Sequence, residues 1–389
     1  MNVLVINAGS SSLKYQLLNV DTGEVFAKGN AERIGIDGSF IGHQEKGGEK
    51  EKLVVELPDH KTAIKHIFEI IDDLGVQVDG IGHRVVQGGW YFPSSAVVDD
   101  VALAQVREVA PLAPLHNYAE ADVVQICHEL YPELGNVIVP DTAFHYNMPE
   151  RAWRYALPRD VVDKLHIRKY GAHGTSHRFI WRAVNKFTEG KAHKLVSCHL
   201  GSGASLCAIE DGRSMDTTMG LTPLDGLIMG TRTGTIDPAT VFYLQREGGY
   251  TVDEVDTMMN KQSGLAALSA ISSDSRDIEE AAQKGDANAE LALDMFAYRC
   301  AQLVLEMAQA MEGFDTMAFS AGIGENSDDM RARICEKLGW MGVKIDAEKN
   351  AIRSDEVREI SAPDSKIRVL VVPTNEELMI AMDVQELLS

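Results

Sequence analysis

Three stretches of this chain set glycine with serine or asparagine directly behind an apolar, strand-like run. The first carries Asn7, Gly9, Ser10, Ser12 and Lys14. The second is His199-Leu200-Gly201-Ser202-Gly203, and the third Gly322-Ile323-Gly324-Glu325-Asn326. Loops of this kind expose backbone N–H groups that can cradle phosphate oxygens. Taken singly, each reads as a tight turn. Three together, two of them in similar hairpins, point to a nucleotide held between two domains. Ser12 and Lys14 are alternate residues of one strand and share a face.

Arginine and histidine supply the rest of the chemistry. Arg84 ends an apolar run in His83-Arg84-Val85-Val86, and Arg232 stands in Met229-Gly230-Thr231-Arg232-Thr233-Gly234. An arginine among glycines has little side-chain mass to pack against, and its planar guanidinium suits a carboxylate or a phosphate. Polar stretches also occur at Pro114-Leu115-His116-Asn117, at Pro140-Asp141-Thr142-Ala143-Phe144-His145, and from Tyr170 through Ala172, His173 and Gly174 to His177. Asp141 alone reads as a helix cap. His173 and His177 have zinc-like spacing, but Gly174 and Thr175 between them argue against a regular helix, and no third ligand is evident. His83, His145 and His199 also fit satisfied structural histidines. The chain lacks a G-x-x-x-x-G-K-[ST] loop, a complete dinucleotide fingerprint, a G-x-S-x-G elbow and an H-E-x-x-H pair.

These residues need a scaffold of strands and helices. Apolar runs predict strands over 2–7, 13–18, 80–86, 136–139 and 367–372. A second hairpin spans 195–209, half a chain from the first, which is a weak sign of internal duplication. A third strand starts at Thr316 and runs into a glycine loop. Helical periodicity covers 61–74, 286–311 and 376–388, with Leu291, Met295, Tyr298, Leu303 and Met307 sharing a face of the long one. The polar segment 35–52 reads as an exposed excursion. Strands and helices alternate in both halves, so the fold class is α/β.

Composition narrows the function. The 389 residues suit two domains, and the net charge of -21 opposes binding to nucleic acid or anionic membranes. Five cysteines without a C-x-x-C pair fit buried thiols in a reducing compartment. No apolar run approaches the roughly 18 residues of a membrane span, and no leader is evident, so cytoplasm is expected.

The motifs VLVINAGSSSLKYQL, HRVV, PLHN, DTAFH, YGAHGTSH, HLGSGAS, DTTMGLTPLDGLIMGTRTGTIDP, FSAGIGENS and PTNEELMIA stand in the order seen in the acetate kinase (acetokinase) family. The resemblance runs from Val3 to Ala381 and extends to the propionate kinases. It implies the actin-like superfamily that includes sugar kinases: two duplicated ribonuclease-H-like domains with a central cleft, in a homodimer. The first domain would be discontinuous, 1–145 plus 377–389, and 146–376 would form the nucleotide-binding domain. ATP and acetate, or another short-chain carboxylate, are the implied substrates, with magnesium or alternatively manganese as cofactor. Asn7 and Glu376 match magnesium-associated positions, and Lys14, Ser10 and Ser12 nucleotide contacts. Arg84 and Arg232 match the arginines that hold acetate and the transferring phosphoryl group. His173 matches a transition-state histidine, His116 one near the phosphoryl path, and Asp141 an essential carboxylate. His199, Leu200, Gly201, Ser202 and Gly203, then Asp274, Ser275 and Arg276, then Gly322, Ile323, Gly324, Glu325 and Asn326 match the nucleotide segments. Val86, Leu115, Ala172 and Pro223 match the acyl pocket.

The implied reaction is direct in-line attack by a carboxylate on ATP, where positioning and charge stabilisation dominate. Asp141 would orient an arginine or a metal-bound water, since the substrate is already ionised. Two residues depart from many relatives, Ala172 in place of phenylalanine and Ser202 in place of asparagine. The Gly322-Ile323-Gly324 segment is of the ATP-using type. A chaperone-like ATPase would need chain length that is not left over. A Ser176/His177 hydrolase would lack its elbow and a third member.

Overall fold

The computed structural model describes all 389 residues. The chain divides into two compact units, Met1–Tyr146 with Asn375–Ser389, and Asn147–Thr374.

The first unit is built on eight strands: β1 (Asn2–Ala8), β2 (Ser12–Asn19), β3 (Val25–Glu32), β4 (Phe40–Glu45), β5 (Glu51–Val54), β6 (Gly80–Val85), β7 (Ala96–Val97) and β8 (Gly135–Pro140). Their order is β5-β4-β3-β2-β1-β6-β8-β7. Strands β1 to β5 form an antiparallel meander, and β6 and β8 run parallel to β1. Strand β1 alternates as a two-faced strand must. Leu4, Ile6 and Ala8 enter one core with helix α1 (His60–Asp73), while Val3 and Val5 enter another with the C-terminal helix Glu376–Leu388. Helix α2 (Asn117–Leu130) contributes Val123 and Cys127 to the first of these cores.

The second unit has β9 (Lys194–Leu200), β10 (Ala204–Glu210), β11 (Arg213–Thr217), β12 (Thr316–Ser320), β13 (Arg358–Glu359) and β14 (Arg368–Val371), in the order β11-β10-β9-β12-β14-β13. Here too an antiparallel trio leads into parallel strands on the far side of the first one. The run β3-β2-β1-β6-β8 therefore has its counterpart in β11-β10-β9-β12-β14. The shared topology carries the duplication that the two hairpins only hinted at. Helix α3 (Gly174–Phe187) precedes β9, helix α4 (Ala287–Ala310) packs in the core, and α5 (Ala321–Asn326) follows β12 directly.

Four expectations are corrected. Segment 35–52 is not an excursion: it contains β4, whose Ile41, Gly42 and His43 are buried, with the Tyr15 hydroxyl 2.7 Å from His43 Nδ1. In α4, Leu303 and Met307 are buried as expected, but Leu291 and Tyr298 face solvent, and the inward face includes Ala289, Ala292, Leu293, Phe296, Ala297, Cys300, Ala301, Val304 and Ala308. Alanines occupy much of that face beside the larger residues, so apolar size alone does not mark it. Gly174 and Thr175 do open a regular helix, α3. Residues 322–326 form the turn of helix α5 rather than a loop.

All five cysteines are buried and free, as expected of reduced thiols. No helix is long and apolar enough to cross a membrane.

Candidate active site

In the first unit the site is assembled at the ends of the parallel strands. Arg84 leaves β6 one residue before its end, and Val85 pairs with Pro140 of β8. The Asp141 backbone N–H donates to the Val85 carbonyl at 2.8 Å, which fixes the segment that follows β8. There the Arg84 Nη2 donates to Asp141 Oδ2 at 3.0 Å, and Asp141 is 1% exposed. Asp141 is thus an arginine's partner and not a helix cap.

Two further carboxylates surround the same guanidinium, Glu120 from α2 and Glu376 from the C-terminal helix. Burial pulls the Arg84 pKa down, but Asp141, then Glu376 and Glu120, outweigh it and hold the cation firmly charged. Its Nε is buried with no hydrogen-bond partner. Burial raises Glu376 to about 7, Asp141 adds to the rise, and Arg84 opposes it. Glu120 Oε2 accepts the Val86 N–H at 2.9 Å, while its other oxygen has no partner. Burial lifts Glu120 to about 7 as well, against the pull of Arg84. Neighbouring His83 bonds Asn136 Oδ1 at 2.8 Å and is pushed down to about 4 by burial, so it is a neutral structural histidine.

Asn7, Lys14, Arg84 and Glu376 line one cavity of about 470 Å³. The register places Asn7 directly opposite Lys14 on β1 and β2. Ser10 and Ser12 sit at the hairpin tip and do not line it. Val86 is buried, whereas Leu115 is 64% exposed and His116 sits at the start of α2 without capping it. No group of three or more His, Cys, Asp or Glu could cage a metal ion. Asn7 and Glu376 nevertheless offer hard oxygen donors beside an excess of carboxylates. That suits magnesium, which keeps waters and takes phosphate oxygens instead of a full protein shell.

In the second unit His173 stands just before α3, at its N-cap position, with a left-handed backbone, φ 55°. Such strain in a non-glycine residue is rare and is concentrated at functional sites. Its ring stacks on His199, with centroids 4.2 Å apart. A Cβ placed on Gly203 would lie 3.4 Å from His173 Nε2 and 3.7 Å from Arg232 Nη1, so these three meet around one point. Arg232 Nη1 also donates to the Pro223 carbonyl at 3.1 Å, and burial lowers the Arg232 pKa. The turn bearing Arg232 is held by the start of the helix Gly264–Ser269. Leu265 N–H donates to Met229 O at 2.9 Å and Ala266 N–H to Gly230 O at 3.0 Å. Gly264 has φ +68°, and a Cβ there would fall 2.1 Å from Met229 O, so only glycine fits. Ala172 is buried beside this site in the core of the unit.

A second cavity, of about 550 Å³, is lined by Gly201, Ser202, Asp274, Ser275, Arg276 and the helix residues Gly322, Ile323 and Asn326. Of the expected nucleotide residues, His199, Leu200, Gly203, Gly324 and Glu325 do not line it. Leu200 is instead in the apolar core. The Glu325 carboxylate accepts the N–H of Ala321 at 2.7 Å and of Thr374 at 3.1 Å, which turns it toward the backbone.

Three residues here went unread in the sequence. Glu120 lies among apolar residues of α2, and only the helix phase shows that it points inward. Ser205 binds both His173 Nδ1 at 2.9 Å and His177 Nε2 at 2.8 Å. Arg331, 2% exposed, donates to the Gly324 and Glu325 carbonyls and to Asn350, bracing α5 from behind; burial lowers it to about 10. The Ser176 hydroxyl bonds His199 Nδ1 and Thr374 Oγ1, each at 2.8 Å, and this gives no support to a Ser176–His177 hydrolase pair.

The architecture is that of known crystal structures over the full chain. Acetate kinase from Porphyromonas gingivalis superposes with a TM-score of 0.95 at 39% identity, covering 100% of both chains. A propionate kinase from Francisella tularensis gives 0.93 at 38% identity, covering 99% of each. The chain therefore has the fold of the acetate and propionate kinases. Its sequence matches the Acetokinase family over residues 2–382, and acetate kinase 2 of Clostridium perfringens is 48% identical over 100% of both chains. Acetate kinase of Methanosarcina thermophila is 46% identical over 100% of this chain and 97% of its own length. This chain belongs to the acetokinase family.

Proposed function

We propose that this chain catalyses the reversible transfer of the ATP γ-phosphoryl group to acetate, giving acetyl phosphate and ADP. Beyond family membership, the reading is carried by Arg84, a buried guanidinium with an unpartnered Nε, on a cavity it shares with Asn7, Lys14 and Glu376. One acetate oxygen attacks the γ-phosphorus as the bond to the β-phosphate oxygen breaks, and that electron pair leaves with ADP. Substrate carboxylate and phosphate repel, so the chain's task is positioning and charge compensation. Arg84 holds the carboxylate and Asp141 orients Arg84. Arg232 and His173 stabilise charge on the transferring group, with His116 near its path. The adenosine phosphates occupy the cavity of Gly201, Ser202, Asp274, Arg276, Gly322 and Asn326.

Magnesium, when bound, neutralises phosphate charge; Asn7 and Glu376 would hold it through waters. Val86, Leu115, Ala172 and Pro223 are assigned to the acyl group. A homodimer and a cytoplasmic location complete the reading, resting on the family and on the cysteine pattern. The second reading, a propionate or short-chain acyl kinase, is favoured by one feature, the methyl of Ala172 where many relatives carry a phenyl ring.

Incubation with ATP, magnesium, acetate and hydroxylamine tests the proposal. Acetohydroxamate should form in proportion to ADP. ADP release without hydroxamate would refute acyl transfer.

A further inference from the structure

We infer that Ser205, acting with His177 and Ser197, holds His173 as the neutral Nε2–H tautomer, which makes Ser205 a positioning residue for the phosphoryl transfer. The inference rests on the proposed role of His173 as a donor to the transferring group.

The strand alternation sets the stage. Val196, Cys198, Leu200, Ala204 and Leu206 of β9 and β10 face the apolar core. Ser197, His199 and Ser205 therefore face the other way, toward Ser176 and His177 of α3 and His173 just before it. Ser197, Ser205 and His177 are all 0% exposed, so each polar hydrogen needs an acceptor within the protein. The Ser197 hydroxyl has one side-chain partner, His177 Nδ1 at 2.9 Å. A hydroxyl carries a single hydrogen, and each neutral imidazole carries one as well. If Ser197 donates to His177 Nδ1, then His177 bears its hydrogen on Nε2 and donates it to Ser205 Oγ at 2.8 Å. The Ser205 hydrogen then goes to His173 Nδ1 at 2.9 Å. His173 is left with its hydrogen on Nε2, the nitrogen beside Gly203 and Arg232.

The opposite direction fails on the same count. A hydrogen on His173 Nδ1 would pass through Ser205 to His177 Nε2, which would force a hydrogen onto His177 Nδ1. Ser197 would then accept, and its own hydrogen would have no acceptor. Protonating His173 demands that same reversal. Arg232 across Gly203, the stacked His199 with its Nδ1 on Ser176 at 2.8 Å, and His177 behind Ser205 are titratable or charged groups beside His173. The donor role needs a hydrogen on Nε2 at neutral pH, and the serine relay supplies it without an imidazolium.

The test combines histidine 15N NMR of the full-length protein with turnover. The His173 signals are identified by their loss in His173→Gln. In the wild type they should show a neutral Nε2–H ring from about pH 5.5 to 8. In Ser205→Ala the same ring should titrate near the free-histidine value of about 6.5. Its turnover should fall roughly ten-fold, with KM values unchanged and a new pH-dependent step at that titration; a merely structural serine would move stability alone. An Nδ1–H tautomer in the wild type, or identical titrations in the two proteins, would overturn the inference. If tautomer and titration behave as expected while Ser205→Ala and His173→Gln both keep wild-type turnover, the relay stands and the catalytic reading of His173 falls.

Discussion

Replacing Glu120 by glutamine probes how charge is arranged around Arg84. The Glu120 carboxyl is 1% exposed, and burial raises its pKa from 4.5 to about 7. Below about pH 4.5 it is protonated whether the chain is folded or unfolded. As pH rises from there to about 7, the unfolded chain gives up the proton and the folded protein keeps it. Folding stability therefore declines across that window, and above it the carboxyl is ionised in both states. At ~1.4 kcal/mol per pH unit, the displacement amounts to about 3 kcal/mol, to order of magnitude. Glu120→Gln retains a carbonyl oxygen for the Val86 N–H and removes the ionisation. The new amide hydrogens add a desolvation cost of about 1–3 kcal/mol, but that cost does not depend on pH. Urea unfolding of both proteins at pH 4.5 and pH 8 gives the comparison. The wild type should lose about 3 kcal/mol more between the two pH values than the variant does. Glu376 titrates in the same direction in both proteins and cancels. Parallel stability–pH curves would refute the buried, proton-retaining Glu120.

Arg232→Ala should lower turnover roughly 30- to 1,000-fold, equivalent to ~2–4 kcal/mol of transition-state stabilisation, and Arg232→Lys should recover little because it lacks the planar fork; steady-state kinetics at saturating substrates decide it. Glu376→Ala should raise the magnesium concentration for half-maximal activity while far-UV circular dichroism stays unchanged, and an unaltered magnesium titration would remove Glu376 from the metal. Ala172→Phe should shift the kcat/KM ratio toward acetate over propionate by about four-fold, the worth of one buried methylene at ~0.8 kcal/mol. An unchanged ratio would mean that Ala172 does not border the acyl group.

Local pattern carried much of the fold. Apolar runs with β-branched residues marked β1, β9 and β12 because a buried strand needs them. Polar–apolar periodicity marked α1 and the C-terminal helix within a residue or two, because their apolar stripes are continuous. Patterns failed where packing overrides composition. Residues 322–326 read as a glycine loop, yet the Glu325 carboxylate at Ala321 N–H and the buried Arg331 at two carbonyls hold them helical. In α4 five of the eleven buried residues are alanine, so the larger but exposed Leu291 and Tyr298 misled.

The sequence by itself determined the family, the α/β class and a short list of arginines, histidines and phosphate-type segments, because each is a matter of residue type and local order. Only the tertiary structure decided what those residues touch. It set Glu120, Asp141 and Glu376 around one guanidinium, although they come from three different elements. It also joined Ser197, Ser205, His177 and His173 into one hydrogen-bonded row. Ionisation and tautomer depend on distance, burial and hydrogen-bond partners in space, and none of those is a property of neighbours along the chain.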